Sequence, residues 1–401
     1  MLTGNFRWKS LCVGLAVAAV LGSVRAEPAS SAVPALTLKH DDKYLEERDE
    51  PLKNAIRGIT VGPIENSLHP DRGYGSLAYQ QTLDEAVRMG ASWVSLTPFG
   101  RVWDLTPSGI SQTFEAPYES NRKALVLAIQ QAHQRGLKVM LVPHLWVETG
   151  GWRAEIEPTN DRAWQAWAEA YRRFVLGWAD TAELAHADIF ALGVELRSWV
   201  TTTRTPLFLP IIREVRRHYS GLLTYAANWD DAESTTIWGE LDLIGINAFY
   251  PLAQKDGASP EVLRAGAQEV AAGVQKLATT WGKPVIFTEF GYTTRSNPAV
   301  RPWEWPEHLG RVEVNELAQA EAYHALLGAF MDQKWFAGFF VWRFYADPND
   351  TSQEPAWGFS PRAKLAESVL REAFSTRFAA DADVGLGSAL LSRRALPIGV
   401  Y

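Results

Sequence analysis

Short runs of β-branched and aromatic residues alternate along the chain with longer segments whose apolar positions recur every three or four residues. The runs IRGITVGPI, ASWVSLTPF, LKVMLVPHLW, ADIFALGVEL, GLLTYAAN, LDLIGINAFY, KPVIFTEFGY and FAGFFVWRFY read as eight strands. The periodicity predicts helices over residues 76–89, 119–135, 160–184, 207–218, 261–281, 315–334 and 361–374, with only a short link, 231–238, after the fifth strand. Glycines such as Gly136 and Gly282 stand where helices should end before the next strand. Nearly continuous apolar strands belong to a parallel sheet buried on both faces. Eight strand–helix repeats across residues 51–378 predict an α/β fold, a single closed (β/α)8 TIM barrel. An open doubly wound sheet is the rival, on the strength of Gly73-Tyr74-Gly75-Ser76-Leu77-Ala78, a loose G-x-G-x-x-A. That segment lies several residues beyond the first strand, and no acidic residue ends the second.

The ends of the chain have a different texture. Residues 1–26 carry Arg7 and Lys9, an apolar run from Leu11 to Gly22, and small residues around Val24-Arg25-Ala26. They read as a cleaved signal peptide, which predicts a secreted or periplasmic protein with no membrane insertion after cleavage. Residues 27–50 lack sustained apolar period and read as a linker or arm, and residues 379–401 as a C-terminal tail. The single cysteine, Cys12, falls within the signal, so the predicted mature chain has no disulfide and depends on its core.

Charge narrows the range of partners. Lys and Arg number 39 against 46 Asp and Glu, a net −7 that becomes −10 once Arg7, Lys9 and Arg25 are removed. There is no basic stripe to track phosphates, so no nucleic-acid partner is expected. The eight histidines form no HExxH motif, and neither a nucleophile-elbow serine nor a P-loop occurs, so no metal or cofactor is expected. Seventeen tryptophans are a large excess, and their flat faces suit the apolar faces of sugar rings.

In such a barrel the site forms at the carboxyl ends of the strands. The polar and aromatic residues there are Glu65, Trp103, His144, Trp146, Glu195, Asn228, Trp229, Asp230, Asn247, Tyr250, Glu289 and Trp342. Two of the acids lie within apolar strands. Alternation places Ile189, Ala191, Gly193 and Glu195 on one face of the fourth strand, and Val285, Phe287 and Glu289 on one face of the seventh. Both glutamates are thus expected to point into the barrel mouth. Two carboxyls about 5 Å apart cleave a glycosidic bond with retention, and a wider pair with inversion. The structural alternative is an ion pair with an arginine such as Arg57, Arg197 or Arg343.

The strand-one, HLW, GVEL, GINAFYP, TEFGY and VWRFY segments together resemble glycoside hydrolase family 113 of the retaining clan A, across residues 55 to 375. The resemblance implies a β-1,4-mannanase with Glu195 as general acid/base and Glu289 as nucleophile. It also implies that Tyr250 hydrogen-bonds the nucleophile, that Trp342 floors the subsite where the sugar distorts, and that His144, Trp146 and Asn247 line the pocket. The chain departs from many clan members in having Val194, not Asn, before the acid/base. Asn228 or Asn247 would then meet the sugar 2-hydroxyl.

Trp164, Trp167 and Trp178 lie within the third helix and are expected to pack, as are Trp93 and Trp335. Trp103, Trp146, Trp152, Trp199, Trp303, Trp305 and Trp357 follow strand ends or sit in loops, with Trp146 and Trp199 the foremost groove candidates. The expected partner is a polysaccharide or oligosaccharide cleaved internally. The alternatives are a barrel hydrolase for another β-glycan or an exopolysaccharide, and a glycan-binding barrel without turnover.

Overall fold

The computed structural model describes residues 54–62, 72–304, 312–349 and 354–382. The expected signal peptide and arm, Glu65, Trp305 and residues 383–401 lie outside the described residues. The first half of the chain runs β1 (Ile56–Gly62), α1 (Leu77–Met89), β2 (Trp93–Leu96), β3 (Phe99–Val102), α2 (Tyr118–His133), β4 (Lys138–Leu141), β5 (His144–Val147) and α3 (Asp161–Ala185). It continues with β6 (Ile189–Val194), α4 (Arg197–Val200), α5 (Leu209–His218), β7 (Leu222–Asn228), β8 (Ile244–Asn247) and α6 (Pro260–Trp281). The last elements are β9 (Val285–Phe290), α7 (Glu316–Phe330), β10 (Phe336–Tyr345) and α8 (Leu365–Ser375).

Eight strands close in the order β1-β10-β9-β8-β7-β6-β4-β2, every neighbouring pair parallel. The fold is the (β/α)8 barrel that the repeats predict. β3 and β5 pair with each other outside the closed barrel. Each continues a barrel strand past a proline, Pro98 or Pro143, which offers no N–H to the ladder. Side-chain oxygens of Ser76, Asn160, Ser259 and Asn315 cap the first turns of α1, α3, α6 and α7. The short link after the fifth barrel strand holds only a 3-10 turn, Trp238–Glu240.

Ile56, Trp93, Met140, Ile189, Leu222, Ile286 and Phe340 fill the barrel interior, with Trp93 edge-on to Phe340. A much larger apolar layer joins the outer faces of the strands to the helices. Gly338, at φ 120°, lies so close to the backbone of Ile56 that a side chain there would clash, which fits β10 tightly against β1.

Simple alternation fails near the carboxyl ends of β6 and β9, and the site depends on that failure. In β6, Ile189 and Ala191 face inward, but the register shifts before Val194, which joins the interior. A side chain at Gly193 would strike the Tyr171 hydroxyl of α3, so Gly193 faces the helices, contrary to the parity expectation. In β9 it is Ile286 that faces inward. Val285 and Phe287 face outward, Phe287 packing on Phe330 of α7. A register shift then pairs Asn247 with Glu289 and brings the glutamate to the inner side. An extra residue in one strand re-aims the side chains that follow it.

The expected tail begins as part of the barrel base. Ala379–Ala382 form a 3-10 turn whose Asp381 accepts from the Ala55 N–H at 2.7 Å and pairs with Arg57 at 2.7 Å.

Candidate active site

Glu195 stands just past the end of β6 with a left-handed backbone, φ 51°. Such a conformation costs a non-glycine residue about 1–3 kcal/mol and needs surrounding bonds to hold it. The Glu195 N–H donates to the Ala226 carbonyl at 2.8 Å, and the Leu196 N–H donates to the Tyr225 hydroxyl at 2.6 Å. The turn aims a buried carboxylate over the barrel mouth, where it accepts three hydrogen bonds. Trp152 Nε1 and Arg153 Nη1 both reach Oε2 at 2.9 Å, and Asn247 Nδ2 reaches Oε1 at 2.9 Å. Burial pushes the Glu195 carboxyl up, but the Arg153 charge and the three donors outweigh it and hold the group below its ordinary range.

Glu289 is buried beside it with a single side-chain donor among the described residues. His144 Nε2 lies 3.1 Å from Oε1, while His144 Nδ1 faces the Val142 carbonyl at 2.8 Å. A carbonyl only accepts, so Nδ1 carries a hydrogen, and one further proton lies between Nε2 and the carboxyl. Burial raises the Glu289 carboxyl above its usual range. The His144 bond opposes this, and the nearby Glu195 charge adds to the rise. Asn247 ties the pair together: its backbone lies beside Glu289 in the ladder, and its side chain reaches Glu195. Thr288 Oγ1 donates to Asn247 Oδ1 at 2.9 Å, which fixes the amide with its N–H groups toward Glu195.

Aromatic faces flank the pair. Trp342 stacks on His144 with centroids 6.2 Å apart, and Phe99 lies on the same imidazole at 5.1 Å. Trp146, at the rim on β5, is 43% exposed, and Trp103, beyond β3, is 72% exposed. On the β7 and β9 side, Trp229 stacks on Trp303 at 5.2 Å, leaving Trp303 46% exposed.

Three expected substrate contacts are placed otherwise. Trp199 is only 1% exposed and packs among Trp164, Trp167, Tyr171 and Phe208 behind the barrel wall, because α4 turns it onto α3. Tyr250 makes no hydrogen bond to Glu289; its ring packs on Trp229 and on the outward-facing Phe287. Asn228 lies beside Asn247 in the ladder, but its amide donates to Asp230 at 2.6 Å, not to either glutamate. Asp230 pairs with Arg197, and two further acids of the rim loops are paired as well, Glu148 with Arg101 and Asp347 with Arg72.

The arginine that meets a site glutamate is Arg153, which the sequence reading passed over. Arg57 serves the barrel base, Arg197 binds Asp230 and Asp231, and Arg343 lies over Trp342 and Tyr345. Arg153 sits in a 3-10 turn, Arg153–Glu155, seven residues past the end of the HLW segment by way of Gly150-Gly151. Only its position straight after Trp152, a rim tryptophan, distinguished it in the sequence. Among the described residues, no cluster of His, Cys, Asp and Glu could hold a metal ion, and no helix is long and apolar enough to cross a membrane.

A closed (β/α)8 barrel that buries two carboxylates over its fourth and seventh strands, between exposed tryptophans, belongs to the class of barrels built to handle saccharides. The sequence profile of Glycoside Hydrolase Family 113 matches residues 69–357, and the chain belongs to that family. It is a glycoside hydrolase. No curated protein matches the chain. Among solved structures, a GH113 β-1,4-mannanase complex is similar at 23% identity and TM-score 0.68, over 81% of this chain and 100% of that one. The GH113 β-mannanase of Alicyclobacillus acidocaldarius bound to ManMIm is similar at 24% identity and TM-score 0.69, over 80% of this chain and 97% of that one. A family 5 mannosidase from Rhizomucor miehei follows at 11% identity and TM-score 0.56, over 85% of this chain and 94% of that one.

Proposed function

We propose that the protein is a retaining endo-β-1,4-mannanase that attacks mannan-type polysaccharide, with Glu289 as nucleophile and Glu195 as general acid/base. The observation that carries this reading is the convergence of the two buried glutamates, linked through Asn247, at the mouth of a family 113 barrel. The likeness to the two GH113 β-mannanases supports the substrate class. In the first step a Glu289 oxygen bonds to the anomeric carbon as the glycosidic C–O bond breaks, and Glu195 gives its proton to the departing oxygen. In the second step Glu195 takes a proton from water, whose oxygen displaces Glu289 from the sugar. Asn247, between the two carboxyls, is the group best placed to meet the sugar 2-hydroxyl. Trp342, Trp146 and Trp103 supply stacking surface on one side of the cleft, and Trp229 with Trp303 on the other. The amino-terminal segment 1–26 supports action outside the cytoplasm.

The test is product analysis on mannan, glucomannan, xylan and β-glucans. Short manno-oligosaccharides released from mannan and glucomannan alone are expected; release from another glycan only would replace the substrate assignment. Glu289→Gln should abolish turnover, and persistent hydrolysis would remove its role as nucleophile. Glu195→Ala should slow natural substrates by about 10²- to 10⁴-fold while sparing activated aryl glycosides, whose leaving groups need no proton.

A further inference from the structure

Among the described residues, the three side-chain partners of the Glu195 carboxyl are all donors. Indole Nε1 and guanidinium groups cannot accept, and the Asn247 amide is oriented by Thr288 so that its N–H faces the glutamate. A protonated Glu195 would have no acceptor among these groups, and two N–H groups already occupy Oε2. Yet Oε2 or Oε1 has to carry the proton that the leaving sugar receives.

The donors are anchored firmly. Arg153 Nε donates to the Leu145 carbonyl at 3.1 Å, so the guanidinium bridges β5 and Glu195. The Arg197 guanidinium lies 4.7 Å over the Trp152 ring and is itself held by Asp230 and Asp231. Ser198 of α4 donates to the Ile156 carbonyl, fastening the far end of the same turn. Residues 152–156 are therefore fixed to the helix that directly follows Glu195.

We propose that Trp152 and Arg153 form a clamp that keeps Glu195 ionised in the resting enzyme, and that Arg153 thereby sets the pH at which Glu195 exchanges its proton and the limb of the activity profile that follows it. Arg153 is a positioning residue, acting through Glu195. The inference rests on Glu195 being the acid/base. A glycosidic oxygen entering the cleft only accepts, so it competes with the carboxylate for the Arg153 N–H, and Glu195 takes up a solvent proton once that bond is released. The other ionisable groups facing Glu195 are Glu289 with its partner His144, Asp231 with its partner Arg197, and Tyr225. None of these donates to the carboxyl, so the clamp is the group whose removal frees it.

The test follows the carboxyl directly. Protein labelled with ¹³C at the glutamate carboxyl is titrated by NMR, with Glu195→Gln identifying the resonance. Wild type, Arg153→Met, Arg153→Lys and Trp152→Phe are compared, each after a melting curve shows that it folds. The Glu195 resonance should titrate at higher pH in Arg153→Met, and less so in Trp152→Phe. Arg153→Lys should stay near wild type. The limb of the kcat/KM profile on manno-oligosaccharides that follows Glu195 should move up with it in Arg153→Met, by about one pH unit. A merely structural arginine would lower kcat at every pH and leave both curves in place, and an unmoved resonance in Arg153→Met overturns the clamp. Failure to hydrolyse any mannan would overturn the functional reading instead, while the resonance still decides the clamp.

Discussion

Glu195 and Glu289 are the same amino acid, both joined to Asn247 at the barrel mouth, yet their surroundings push them in opposite directions. Three donors with a full positive charge favour the ionised Glu195, whereas burial and its neighbour's charge work against ionisation of Glu289. These directions run opposite to those of an ordinary acid and nucleophile pair, in which the proton donor is the raised carboxyl, so the reactive form is the one with Glu289 ionised and Glu195 protonated against their surroundings. The divergence also has a consequence for stability. A carboxyl whose native titration lies above its unfolded value contributes fully only below the unfolded value, and its ionisation opposes folding as the pH rises. Glu289→Gln should therefore raise the melting temperature at pH 7 while removing turnover, and the gain should shrink as the pH approaches 4. Calorimetry at the two pH values checks this. The glutamates were legible in the sequence because an acid in an otherwise apolar strand is conspicuous. Their inward aim was expected from period-two counting, but it is reached by another route, through the shifts before Val194 and opposite Thr288 that such counting cannot see.

Among the elements, α3 shows how an aromatic-rich sequence divides between packing and binding. Its 25 residues present Trp164, Trp167 and Tyr171 to the barrel, and the short α4 adds Trp199 to that cluster. The periodicity of α3 made its own tryptophans readable as core. Trp199 carried no such signal, because a four-residue helix is too short to show a period, and a position just past a strand end looked like the site. Its burial predicts that Trp199→Ala costs about 3–5 kcal/mol of stability. Trp146→Ala, at the rim, should change stability by only about 0.5 kcal/mol and instead raise KM for long substrates. Paired urea melts and Michaelis curves for the two variants separate these roles. Likewise the eight barrel strands stood out as apolar runs, but Pro98 and Pro143 divided two of those runs into barrel and extension, forming the β3–β5 ribbon that carries His144 and Trp146.

At the scale of the whole molecule, the barrel is closed by its first and last strands, and the segment after α8 returns to reinforce that junction. Asp381 accepts from the Ala55 and Phe378 N–H groups and pairs with Arg57, linking positions more than 320 residues apart. Burial raises the Asp381 carboxyl, but the Arg57 bond and the two N–H donors outweigh it and lower the titration below the usual range. Stabilisation from a depressed carboxyl is present above its unfolded value and is lost as the pH falls through the native one. Asp381→Asn should therefore cost about 2 kcal/mol at pH 7. The difference from wild type should close below about pH 4, as thermal melts across that range would reveal. The sequence reading took residues 379–401 as a tail because their apolar period is weak. Ala379–Ala382 are held instead by hydrogen bonds and one ion pair, which leave no periodic trace.

Pairing of β1 with β10 has one more effect, on how the polypeptide reaches its final form. Until Phe336–Tyr345 has been made, the seven earlier barrel strands have two open flanks whose N–H and carbonyl groups await partners. The nascent sheet stays vulnerable to association with other chains for almost the whole of synthesis, and ring completion depends on pairing the first barrel strand with the last.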